Sequence, residues 1–249
     1  MLNYISIDYG RLLKQLKSHS DVRMPLSAKV FRVKEYIPLD IIADKIRLYK
    51  TSREEDELKL DSFFEDIHLI GDTLKAFFVY DEAEAVNIKG ELRKIARRRE
   101  ALIAFKDVGG ELYLIVFEKK YRANKIANLI SEILFTRIGG IIEVEIPHET
   151  LKTLHESNPE ATKVIYFDNV DIPNINKLAL YGSDLADSNL YNMYLEHGKI
   201  WYVVFQHKES GYVVGITRNL IIAMFSNITL DDFLNFIIEH ILPMIHYVT

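Results

Sequence analysis

Apolar and polar positions change their period several times along the chain. Residues 112–135 read "LYLIVFEKKYRANKIANLISEILF". Six apolar or aromatic residues come first, then apolar positions three and four apart at Ile126, Leu129, Ile130, Ile133 and Leu134. The first pattern is a strand buried on both faces, the second a helix with one buried stripe. Residues 219–242, "NLIIAMFSNITLDDFLNFIIEHIL", make the same change. Slid by 108 positions without a gap, Leu112 meets Leu220, Leu114 meets Ile222 and Phe117 meets Phe225. In the helical part Ile126 meets Leu234, Leu129 meets Ile237 and Ile133 meets Ile241.

A second pair of segments carries almost the same offset. "VKEYIPLDIIADKI" (33–46) and "EVEIPHETLKTLH" (143–155) each alternate, reach Ile-Pro, and pass into an amphipathic run, with Pro38 and Pro147 separated by 109. Proline there ends a strand and begins a helix, where its missing N–H costs nothing. A looser match joins "LKAFFVYD" (74–81) to "KIWYVVFQ" (199–206). The pattern predicts a strand over 28–36, a helix over 39–49, strands over 58–66, 74–80, 101–106 and 112–118, and a helix over 122–135. It then predicts a strand over 140–146, a helix over 149–157, strands over 163–168, 200–205, 212–217 and 220–225, and a helix over 230–241. "DVGGE" (107–111) and "TRN" (217–219) are hairpin turns. Thr229 is the expected N-cap of the last helix, and Pro243 its expected end.

The order is β-α-β-β-β-β-α, twice. In element order it resembles the TATA-binding-protein fold, from about Ala28 onward. That resemblance implies an α+β fold with one curved antiparallel sheet, helices on one face and a pseudo-twofold axis. It implies an archaeal relative of the fold rather than a TATA-binding protein proper, because none of the family's DNA-reading residues can be placed here. The expected organisation is an N-terminal extension over 1–27, repeat one over 28–138 with an insert at 86–101, and repeat two over 139–249 with an insert at about 158–199.

Composition narrows the class. Of 249 residues 49% are apolar and 27% charged, the mix of a globular chain long enough to bury a core. The absence of cysteine excludes disulfides and thiolate chemistry and suits a cytoplasmic protein. With plentiful Ile, Lys, Glu and Tyr it has a thermophile's composition. No apolar run is long enough for a membrane span. A formal charge of −5 is wrong for a surface basic all over, so any nucleic-acid contact must be local.

One local candidate exists. "VNIKGELRKIARRREA" (86–101) carries Lys89, Arg93, Lys94, Arg97, Arg98 and Arg99 against Glu91 and Glu100, a net +4. Leu92, Ile95 and Ala96 give a thin apolar stripe, so the insert reads as a basic helix. One reading is contact with the phosphates of nucleic acid. The other is arginines paired with acids, for which "REEDELKLD" (53–61) is an evident partner, in the same chain or across a dimer. The strands "LYLIVF" and "WYVVF" are apolar on both faces, so a face bearing Tyr113, Phe117, Trp201 and Tyr202 should be left open as an interaction surface. It must meet the DNA minor groove, as the resemblance implies, or a second chain, or the insert at 158–199, in which an extra strand is expected at 177–181.

No phosphate loop, nucleophile elbow or dinucleotide glycine pattern occurs. His148 and His155 lie seven apart, too far for a helical metal pair, and His68, His240 and His246 read as isolated. The expectation is a non-enzymatic protein with no catalytic residues, metal or cofactor. Its expected role is a nucleic-acid-associated accessory factor or a protein-interaction and self-assembly module.

Overall fold

The computed structural model of the chain describes residues 26–157, 159–182 and 185–246. The extension expected over 1–27 lies outside them except for its last two residues. The strands are β1 (Leu26–Val33), β2 (Lys50–Glu55), β3 (Leu58–Ile70), β4 (Thr73–Ile88), β5 (Glu91–Val108), β6 (Glu111–Val116), β7 (Ile141–Glu143), β8 (Thr162–Asp168), β9 (Leu178–Tyr181), β10 (Lys199–Gln206), β11 (Val213–Thr217) and β12 (Ile221–Met224). The helices are α1 (Leu39–Leu48), α2 (Lys120–Phe135), α3 (His148–Glu156), α4 (Asn189–His197) and α5 (Leu230–Phe236), which continues to His246. The fold is α+β. All the strands join one open antiparallel sheet in the order β2-β3-β4-β5-β6-β1-β12-β11-β10-β8-β9, and β7 pairs with β1.

Turn chemistry sets most of the expected boundaries. Gly109 and Gly110, both at positive φ, close the β5–β6 hairpin, and Gly110 N–H donates to Asp107 Oδ1 at 2.9 Å. Pro38 and Pro147 stand at the N-caps of α1 and α3. Thr229 caps α5, its hydroxyl accepting from Asp232 N–H at 3.1 Å.

Three expectations need correction. The fully exposed, wholly polar β2 has no apolar period to announce it, and it forms a hairpin with β3 through Asp56 and Glu57 at positive φ. Pro243 does not end the last helix. Residues Ile237–Ile241 form a π-helical turn in which Leu242 N–H reaches back to Ile237 O, and the helix resumes over Leu242–His246. The wider turn removes the clash that a proline ring makes with the carbonyl four residues earlier.

The third correction concerns the faces of the sheet. Helices were expected on one side and lie on both. Leu112, Leu114 and Val116 of β6 belong to a core with Ile42 and Ile46 of α1 and Ile126 and Ile130 of α2. Tyr113, Ile115 and Phe117 belong to a second core with Leu151 of α3 and Phe233, Leu234, Ile237 and Ile241 of α5. Phe117 and Phe233 meet edge to face at 5.3 Å, and Lys75 of β4 anchors the start of α5 through Asp231 at 2.7 Å. Strands apolar on both faces demand a cover on each. The helices of the two halves of the chain supply one each.

The middle of the sheet is β1. Its residues Lys29–Val33 pair with β6 on one edge. On the other edge Leu26–Lys29 pair with β12 and Phe31–Val33 with β7. Lys29 is fully buried there. Its ammonium donates to Glu143 Oε1 at 2.5 Å and Asn124 Oδ1 at 2.7 Å, and Asn124 Nδ2 donates to Glu143 Oε1 at 3.1 Å. Burial draws the lysine below its usual pKa, against the pull of Glu143. The same burial penalises the Glu143 carboxylate, yet its bond to Lys29 holds it below the ordinary carboxylate range.

Glu143→Ala leaves a buried ammonium without its counter-charge and is expected to cost about 1–3 kcal/mol. Lys29→Met, which removes the charge and keeps the length, costs less. The Lys29→Met/Glu143→Ala double variant recovers most of the loss, as read from urea midpoints at pH 7. Glu143's share is present above the carboxylate's unfolded pKa of about 4.3 and disappears as the pH falls below it. A second prediction concerns β11. A Cβ on Gly215 would stand 2.8 Å from Tyr202 Cε2 of β10. Gly215→Val is therefore expected to destabilise by about 1–3 kcal/mol through overpacking, at an unchanged denaturant slope.

Candidate functional site: the charged ribbon

The insert at 86–101 is not a helix. It is the far half of the β4–β5 hairpin, paired without interruption from Thr73↔Lys106 to Ile88↔Glu91 and turned at Lys89 and Gly90, both at positive φ. Local charge and a weak apolar stripe fit either conformation. The long pairing partner, 73–88, decides for strand, because a helix here would leave the outer half of β4 without hydrogen bonds. Beyond Ser62↔Tyr80 no further β3–β4 pairs form, so residues 81–98 extend as a two-stranded ribbon.

Pairing sets acids against the basic residues. Arg98 makes two parallel bonds, Nε and Nη2, to both oxygens of Asp81 at 3.1 Å each. Arg97 Nη1 reaches both oxygens of Glu84 at 3.1 and 3.2 Å. Arg99 bridges Glu82 at 2.6 Å and Glu84 at 3.2 Å, and Arg122 of α2 joins Glu82 at 3.3 Å. Lys94 meets Asp56 in the β2–β3 turn, and Arg93 meets Glu91 at 2.9 Å. Thus five of the six expected basic contact residues are ion-paired, one of them to the 53–61 stretch and the others to acids of the hairpin itself. Over 81–100 the six positive charges face five negatives, so the +4 of the insert falls to +1.

The four expected open-face residues do not share a surface. Tyr113 and Phe117 are buried under α5. Trp201 and Tyr202 lie on the opposite face of the sheet, beside Val164, Tyr166 and Val204. A bulge in β10 between Ile200 and Tyr202 places Trp201 and Tyr202 on the same side. Lys177 stands over the Trp201 ring at 4.7 Å. The insert over 158–199 supplies the expected strand as β9, together with an unexpected helix, α4. Tyr191 of α4 packs into the core under α5 and α3, 4.7 Å from the His155 ring.

Among the histidines, His240, which the sequence reads as isolated, stands beside His207. His155 is buried against Tyr191, and burial lowers its pKa. His148 instead approaches Glu149 at 2.9 Å. His240, in the π-helical turn, has its ring 4.3 Å from that of His207, which follows β10 in the short β10–β11 loop. Glu209 of that loop completes a group whose ligand atoms lie within 4.8 Å of one another. Nothing in the sequence signals this group, since His240 lies more than thirty residues from His207 and Glu209, on an element of different type.

No protein family matches the chain, and no curated protein matches it.

The Arg98 bonds hold Asp81 below the ordinary carboxylate range, helped by a bond from Asp61 N–H. A depressed folded pKa stabilises above the unfolded pKa and is lost as pH falls below it. Asp81→Asn is therefore expected to lower the urea midpoint at pH 7. The gap to the native chain should begin to narrow below about pH 4, where the unfolded carboxyl protonates, and close as the pH falls through the lower pKa of the folded carboxyl.

Proposed function

We propose that the chain is a non-enzymatic self-assembly and protein-interaction module, with the β4–β5 ribbon as its contact element. The observation that carries this reading is the pairing of the basic side chains. A phosphate backbone would have to displace Asp81, Glu82 and Glu84 from guanidinium groups they already engage, including two-point pairs that suit arginine best. The ribbon also has an outer edge suited to a protein partner. β6 pairs with β5 only over Ile103–Val108, which leaves the edge of residues 91–101 without a strand beside it among the described residues. Leu92 is 78% exposed, and Ile88 and Ile95 are exposed near it. Strand addition at such an edge, with arginine–carboxylate pairs fixing the partner's register, is a recurring mode of recognition.

We also read the chain as a tandem duplication of one β-α-β-β-β-β-α unit, related to the TATA-binding-protein fold by element order. The helix equivalence supports it: at the offset of 109, buried Ile42 falls on buried Leu151 and buried Ile46 on buried His155. The β1–β7 register supports it as well. Moving each partner by 109 turns Arg32↔Ile142 into Val33↔Ile141. Helices on both faces depart from the saddle of that fold, so its groove-binding function is not carried over.

The test combines light scattering with a nucleic-acid titration. The native chain is expected to scatter as an oligomer. Arg93→Ala/Arg97→Ala/Arg98→Ala should shift that mass toward the monomer, while duplex DNA, single-stranded DNA and RNA bind neither protein at low salt. Binding that weakens steeply with salt and is lost in the triple variant would replace this reading with the nucleic-acid one.

A further inference from the structure

We propose that His207, Glu209 and His240 form a zinc-class divalent metal site, independent of the ribbon, beside the cleft between α3 and the C-terminal part of α5. Three observations carry it. The first is the donor set. Two imidazoles and a carboxylate, with ligand atoms within 4.8 Å of one another, match the three-protein-ligand sets that hold zinc and leave a fourth position for water. Imidazole favours zinc and its neighbours over magnesium or calcium, which prefer oxygen alone.

The second observation is that both histidines are held by irregular backbone. His207 N–H donates to Tyr212 O and Gly211 N–H to His207 O, each at 2.8 Å, which folds the loop tightly around Gly211 at φ +71°. His240 sits in the π-helical turn, and such turns inside helices re-aim side chains and occur often at functional sites. Phe236 packs 5.2 Å from one ring and 5.0 Å from the other, fixing both. Ser210 Oγ lies 3.0 Å from His207 Nδ1. The Ser210 N–H also donates to Nδ1, at 3.3 Å, so the loop itself engages Nδ1 and leaves Nε2 as the ring nitrogen for a metal.

The third observation is the cleft itself. It has a volume of about 820 Å³ and is lined in part by Thr150, Thr153, Phe205 and Phe236, with His207 and His240 in its wall. An ion held there would face a cavity of ligand size with an apolar wall. Glu239, whose carboxylate is 3.9 Å from His240 Nε2, also lines it.

The test uses the full chain stripped with a chelator. Zn²⁺ is titrated by calorimetry, and Co²⁺ by its visible spectrum. One ion per chain is expected, with the intense cobalt bands of low coordination number. His207→Ala and His240→Ala should each weaken binding at least about tenfold. His68→Ala, on β3, should leave it unchanged. Imidazole nitrogen NMR on the native chain needs no variant: zinc should shift the ring nitrogens of His207 and His240 and leave those of His68 and His155 alone. Failure to saturate at one ion, unchanged affinity in the His207→Ala/His240→Ala double variant, or zinc shifts on other histidines instead would each overturn the site.

Discussion

The whole sheet hangs on β1. There the strands of the two halves of the chain meet, β6 on one edge of β1 and β12 with β7 on the other. A strand in that position has no solvent on either edge, and the apolar residues of both faces are covered. A lysine there is expensive unless its charge is met. Lys29 is met by Glu143 from β7 and Asn124 from α2, while Asn219 lies 3.5 Å from the same carboxylate. The ion pair therefore does not only neutralise a charge. It ties β1, β7 and α2 at one point, and a slip of one residue in either pairing would turn Lys29 to the other face, away from its partners.

From that junction the two cores grow on opposite sides. Each half of the chain brings its own helices, and the continuous sheet lets the helix of one half cover strands of the other. α5 crosses onto β4 and β6, held by Lys75–Asp231 and the Phe117–Phe233 contact. Both apolar faces of β6 are thus covered within the chain. The ribbon stays outward, and there charge, not apolar area, dominates. Most of its cations are matched by carboxylates of the hairpin itself.

Sequence alone determined the local elements and their order. Period, proline and glycine placed α1, α2, α3 and α5, and the hairpins at Gly109–Gly110 and Thr217–Asn219, because these signals act over a few residues. It also determined that both faces of the central strands must be buried, since "LYLIVF" has no polar side to give to water. Tertiary structure decided what covers those faces, whether Lys89–Arg99 winds as a helix or pairs as a strand, and how far Pro243 interrupts α5. The first depends on helices from the other half of the chain, the second on the length of β4, the third on a π-helical turn. Only folding could bring His207 to His240 or Glu82 to Arg99 and Arg122, because their proximity is set by strand register and helix crossing. Neither quantity is written in the neighbourhood of the residues concerned.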